Sequence, residues 1–179
     1  MILSAFTRTA IPLSQLFVTA LFFTAVPHAQ AAEKIAVFDL EIHYGDLVPG
    51  APQKKEAEQQ RLTMISDRLR RALAQSGDFE IVDIAPVRAK AAAANLQACG
   101  NCGDDLARSL GARYAITGVV NKISELILSM NVMVRDAQNG SPVTSAAVDL
   151  RGNTDESWRR AIDYLYKNVL SPRLESAVQ

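Results

Sequence analysis

The sequence predicts a single domain of the α/β (α+β) class, a mixed sheet covered by helices in the order β-α-β-α-α-β-β-β-α. Three observations carry this. Short apolar runs in the first half are separated by stretches with helical periodicity, the arrangement that produces parallel strands joined by helical crossovers. Three strand-like segments then follow one another across short polar turns, which forces them to be antiparallel. A capped amphipathic stretch closes the chain.

The domain is preceded by an export signal. Arg8 is the only charged side chain before Glu33, and the apolar core Leu16–Val26 follows it. Pro27 and the small-residue stretch Ala29-Gln30-Ala31-Ala32 complete a positive n-region, a short h-region and an A-x-A cleavage site. The apolar run falls short of the roughly 20 residues a membrane span requires. Residues 1–31 are therefore expected to be a cleaved signal peptide and residues 32–179 a single domain, directed to the periplasm, with no membrane insertion after cleavage. The remaining 148 of the 179 residues are enough for one core without metals or disulfides.

Each element has its own justification. Lys34–Leu40 is an apolar-rich run read as the first strand. Residues 41–53 hold two Gly and two Pro without a period and read as a loop. From Lys54 to Ser76 the positions Leu62, Ile65, Leu69, Ala72 and Leu73 follow helical spacing, with Gly77 as terminator. The outer face of this helix, with Arg61, Arg68, Arg70 and Arg71, reads as solvated; an anion-binding stripe is the alternative. Phe79–Ile84 is a second strand, and Pro86 opens an Ala-rich helix to about Leu96. Asp104–Leu110 makes two helical turns with acids at the N-terminus, stopped by Gly111. The strands Arg113–Ile123, Leu126–Arg135 and Val143–Leu150 follow, the last two joined at Asn139-Gly140. In the final helix Trp158, Ile162, Leu165 and Val169 fall on one stripe, expected to pack on one alternating face of the Leu126–Val134 strand, and Pro172 is expected to end it.

The charge balance is near zero, with 19 Lys+Arg against 19 Asp+Glu, so it supplies no electrostatic reason to expect nucleic acid as a partner. His43 is the only imidazole after the signal, which excludes a multi-histidine metal site. The motif with chemical potential is Cys99-Gly-Asn-Cys102. In an oxidising compartment two neighbouring thiols pair with one another, and a structural disulfide is the first reading. A redox site and a metal site are the alternatives; the single pair supplies only two zinc ligands. Asp39, Glu41, His43 and Asp46 gather at the C-terminal end of the first strand, where α/β sheets place ligands. Arg151, Asn153 and Asp155 cluster at the start of the last helix, where capping accounts for Asn153 and the acids. Glu41, His43, Asp46, Arg151, Asn153 and Asp155 are the candidate interaction surface. No Gly-rich phosphate loop or nucleophile elbow is present, and no catalytic residue or cofactor is implied.

The stretch Leu110-Gly111-Ala112 to Val120, containing Thr117-Gly118, followed by Val132 to Gly140 with Asp136-Ala137-x-x-Gly140, resembles the helix-to-hairpin signature of the TolB N-terminal domain and of CsgG-like proteins. The chain lacks the propeller of TolB and the lipid-bearing cysteine and membrane hairpins of CsgG, so the resemblance extends to the domain and not to pore formation. The Cys99–Cys102 pair together with Arg151-Gly-Asn-Thr-Asp-Glu-Ser-Trp158 is similar to an uncharacterised family of small secreted bacterial proteins. Members occur in bacteria that oxidise alcohols with pyrroloquinoline quinone enzymes. The resemblance implies a non-enzymatic accessory module whose partner is another periplasmic or outer-membrane protein; the alternative is a redox or metal accessory acting through Cys99 and Cys102.

Overall fold

The structure, a computed structural model, describes residues 32–45 and 56–178. The export signal and Asp46 lie outside the described residues. Among the described residues six strands form one sheet: β1 (Glu33–Val37), β2 (Glu41–Tyr44), β3 (Phe79–Val82), β4 (Tyr114–Lys122), β5 (Ile127–Asp136) and β6 (Ser141–Arg151). Their order is β3-β1-β4-β5-β6, with β2 also paired to β4. β1 runs parallel to β3 and β4, whereas β4, β5 and β6 are antiparallel, as the two connection types require.

Helices cover the sheet on both faces. α1 (Glu56–Ser76), α4 (Asp155–Tyr164), a π-helical turn (Leu165–Leu170) and α5 (Ser171–Val178) lie on one face. Leu62, Ile65, Leu69 and Leu73 of α1 and Trp158, Ile162 and Leu165 share one core with Leu128, Met130, Val132 and Val134 of β5. The alternating set of β5 and the Trp158 stripe thus share one core, although α4 and the π-helical turn lie closest to β6 and α1 rather than to β5 as the periodicity predicts. On the other face α2 (Arg88–Ala94) and α3 (Cys102–Ser109) pack over a smaller core of Ala36, Phe38, Ala107 and Ala115. Small side chains let α3 approach closely: a Cβ on Gly103 would stand 3.2 Å from the Thr117 methyl.

Three expectations need correction. Residues 41–44 are a strand, not a loop. Val37 pairs with Ile116 and Glu41 with Val119, so three residues on one side face two on the other. This extra residue is a bulge that breaks the first strand into β1 and β2. Leu40 turns inward there, its N–H bonded to the buried Ser66 Oγ at 2.9 Å. Gly118 makes room, since a Cβ on it would meet Leu40 Cγ and the Asn131 carbonyl at 3.0 Å.

Pro172 does not end the last helix. It is the second residue of α5, directly after the π-helical turn. Proline clashes with the carbonyl four residues earlier in a regular α-helix, and a wider π turn ahead of it relieves that conflict. The same turn brings Leu165, Leu170 and Leu174 to one buried face, leaving Val169 only partly buried against it.

The outer face of α1 is not simply solvated. Arg61 bonds Asp155, Arg68 pairs with Asp163, and Arg70 bonds Asp39, Asp67 and the Val37 carbonyl, so these arginines tie α1 to α4 and β1. Arg71 is the exposed one.

Candidate functional site

The chemistry-bearing side chains fall into three places. The first is the end of the bulged strand. Asp39, Glu41 and His43 line a cavity of about 490 Å³ with Arg88, Leu62 and Asn121. It lies where the crossovers from β1 and from β3 leave the sheet on opposite faces, the position at which open α/β sheets bind ligands. Asp39 is held by Arg70 at 2.5 Å and by Arg88 at 3.2 Å. Glu41 accepts the Leu96 N–H through Oε1 at 3.0 Å, which fixes its carboxylate in the wall. His43 is exposed, and among the described residues it is bonded to no carboxylate. The structure therefore brings Asp39, Glu41 and His43 together; Asp46 is outside the described residues.

The second place is a buried ionic network that sequence reasoning missed. Lys122 has 0% and Glu58 1% of its side chain exposed, and they pair at 2.5 Å. Lys122 also bonds Glu125 Oε1 at 2.5 Å. Tyr44 donates its hydroxyl to Glu58 Oε2 at 2.5 Å. Asn153 donates through Nδ2 to Glu58 at 2.7 Å and to Glu125 at 2.9 Å, and its Oδ1 accepts the Trp158 indole N–H at 3.0 Å. Burial alone would push the Glu58 carboxyl up. Hydrogen bonds from Lys122, Tyr44 and Asn153, with the Lys122 charge, outweigh it and hold the group below the ordinary carboxylate range. Burial likewise works to lower Lys122, and its bonds to Glu125 and Glu58 reverse that, so its ammonium is held above the ordinary lysine range.

Asn153 thus serves a different role from the cap expected of it. Thr154 is the N-cap of α4, its side chain accepting the Ser157 N–H while the Ser157 hydroxyl accepts the Thr154 N–H. Asn153 instead clamps α1, the β4–β5 turn and α4 together. Asp155 receives Arg61 at 2.7 Å. Arg151 is exposed and lines a separate, shallower cavity of about 550 Å³ with Tyr164 and Arg160. Glu41 and His43 hence line one cavity and Arg151 another, while Asn153 and Asp155 line neither. A signal for the network did exist: Glu58 sits four residues before Leu62 on the buried stripe of α1, and Lys122 has the inward parity of Ile116 and Val120. Opposite charges at two apolar-face positions imply a pair.

The third place is the cysteine pair. The sulfurs of Cys99 and Cys102 lie at bonding distance with their Cα atoms 5.9 Å apart. Cys99 follows α2 and Cys102 is the first residue of α3. Next to them, Asp104 is buried and receives Arg135 Nε at 2.8 Å, while Arg135 also donates to Asn101 and to the Gly140 carbonyl. Oδ1 of Asp104 has no hydrogen-bond partner among the described residues. This clamp fastens the start of α3 to the β5–β6 turn. No group of three or more His, Cys, Asp or Glu suited to a metal occurs among the described residues, and no helix there is long and apolar enough to cross a membrane.

Residues 33–170 match the family DUF3280, described as "Protein of unknown function (DUF2380)". Among solved structures, the hypothetical protein CT253 from Chlamydia trachomatis is similar at a TM-score of 0.51 and 17% identity, covering 83% of this chain and 98% of that one. This likeness shows a common fold. The LpoB C-terminal domain from Salmonella enterica (TM-score 0.47, 16% identity, 70% of this chain and 87% of that one) is a more distant match. So is lipoprotein GNA1162 from Neisseria meningitidis (0.46, 16%, 81% and 92%). No curated protein matches the chain.

Proposed function

The chain belongs to the DUF3280 family, and from that premise we propose that it is a non-enzymatic accessory module of the bacterial periplasm that works by binding another periplasmic or outer-membrane protein. The observation that carries this is the use made of the fold's reactive groups. Glu58 and Lys122 are each shifted toward the charged form, opposite to the raised Glu or lowered Lys of an acid–base catalyst, and are closed on one another and on Asn153 inside the domain. The open cavity along Asp39–His43 offers a half-apolar wall with fixed polar groups, and among the described residues His43 is not set against a carboxylate as a general base would be.

The export signal read in residues 1–31 supports the compartment, with the working chain starting at Ala32. The resemblance to secreted proteins of alcohol-oxidising bacteria supports a periplasmic alcohol-oxidation system as the one served. Cys99 and Cys102 act in this reading as a clip between α2 and α3.

The test is affinity capture of the tagged protein from periplasm after brief crosslinking, comparing the natural chain with Glu41→Arg and Arg151→Glu variants that remain folded. A discrete partner retained by the natural chain and lost with either variant is the expected outcome. Identical capture profiles for all three chains and an unfolded control would refute the reading. A second reading, redox work through the cysteines, rests on Cys102 starting α3, where a helix N-terminus favours the thiolate. It predicts a reduction potential well above roughly −300 mV, whereas a structural bridge falls below that value.

A further inference from the structure

We propose that the lane beside β2 is a docking groove for an extended peptide segment of the partner, one that adds to the sheet as a short strand and presents a basic side chain to Glu41. The inference rests on the interaction reading above and assigns it a site and a partner chemistry.

The sheet edge is stepped at this point. β3 pairs with β1 only, from Glu33–Phe79 to Ala36–Val82, and then stops. β2 continues the line of β1 past the bulge and pairs with β4, and no described strand pairs with its other side. Gly45 N–H bonds the Lys122 carbonyl, and in a parallel ladder alternate residues face the same neighbour. By that parity the backbone of Ile42 faces away from β4, toward the lane.

The cavity of about 490 Å³ occupies this lane. Its wall includes Leu62 from the helical layer on one face and Ala91 and Leu96 from the layer on the other. A cavity that touches both layers must pass around the edge of the sheet, and the edge there is β2. A strand edge flanked by pockets on either side is the geometry of peptide recognition by strand addition, in which main-chain bonds supply affinity and alternate side chains supply specificity. The three residues of β2 that line the cavity, Glu41–His43, accommodate about 10 Å of extended chain at about 3.3 Å per residue.

Charge selects the side chain. Asp39 is neutralised by Arg70 and Arg88. Glu41 is half-buried and has no ionic partner among the described residues, with one oxygen already held by Leu96 N–H. A Lys or Arg from the peptide on that face completes it, and an apolar residue on the opposite face meets Leu62. The outer edge of β6 is blunted against the same use, by Pro142 within the strand and by Arg173 donating to the Ser145 carbonyl at 2.5 Å.

The probe is a blocked pentapeptide of alternating leucine and lysine, titrated into the ¹⁵N-labelled exported protein by NMR. The Ile42 amide is expected to shift saturably and to gain protection from exchange. N-methylation of alternate peptide residues removes edge hydrogen bonds and is expected to weaken binding about tenfold or more. Glu41→Gln is expected to weaken the leucine–lysine peptide while leaving a leucine–glutamine peptide unaffected. Equal binding of the N-methylated peptide, no saturable shift at Ile42, or an Ile42 amide already protected in the free protein would each overturn the groove. Partner capture that persists while the peptide arm fails overturns the groove and leaves the interaction reading standing.

Discussion

Replacing Lys122 by methionine tests the buried network most directly. The ammonium of Lys122 is fully buried against Glu58, itself 1% exposed. Methionine matches the stem in size and keeps the apolar contacts, so the variant removes the charge and little else. Among the described residues it leaves the buried Glu58 carboxylate with Tyr44 and Asn153 as hydrogen-bond donors. Removing one member of a buried ion pair costs about 3–5 kcal/mol, because the other charge is stranded. Against a total of about 5–15 kcal/mol for a domain this is a large fraction. At about 2–4 °C per kcal/mol for a chain of this size the melting point falls by about 6–20 °C. The assay is urea unfolding followed by the fluorescence of Trp158, the single tryptophan. The double variant Lys122→Met with Glu58→Leu removes both charges and is expected to recover at least half of the loss, since a well-packed apolar replacement is often neutral. The sign of the pH dependence follows from the folded-state shifts. Glu58 is held below its unfolded value, so its contribution is present above an unfolded pKa of about 4.3 and is lost as pH falls through the lower folded value. Lys122 is raised, so its contribution is complete below about 10.4 and is lost as pH rises through the folded value. The gap between natural and Lys122→Met chains therefore narrows in acid. A Lys122→Met midpoint within about 0.5 kcal/mol of the natural chain at neutral pH, the size of an ordinary surface substitution, would refute the reasoning.

Trp158→Ala empties a fully buried site in the core under α4, and calorimetry is expected to show a loss of about 3–5 kcal/mol; an unchanged melting point would separate this helix from the core. Replacing both Cys99 and Cys102 by serine opens a four-residue loop and should lower stability by no more than roughly 2 kcal/mol, with partner capture retained in the folded variant. Loss of capture without loss of stability would favour the redox reading instead. Intact-mass measurement of periplasmic protein is expected to give a chain starting at Ala32 or within a residue or two, and a chain retaining Met1 to Ala31 would contradict the cleavage.

By itself the sequence determined the layer order of the domain. The period-two alternation from Leu128 to Val134 and the helical stripe from Leu62 to Leu73 each leave one greasy face, and each face has to be buried against the other kind of element. Composition also bounded the chemistry, because one histidine after the predicted signal and one cysteine pair cannot build the larger metal sites. Tertiary structure decided the rest, for reasons that act between distant residues. The bulge at Phe38–Leu40 depends on the register of β4, on Gly118 and on Ser66 in α1, none of which is adjacent in the chain. Pro172 reads as a helix end until the π-helical turn before it and the burial of Leu170 and Leu174 reveal that the helix continues. Asn153 satisfies every local rule for a cap, yet its amide goes to Glu58 and Glu125, 95 and 28 residues away. A buried charge is tolerated only where its counter-charge and hydrogen-bond donors converge on it, and that convergence of Tyr44, Glu58, Lys122 and Asn153 is a property of the folded chain.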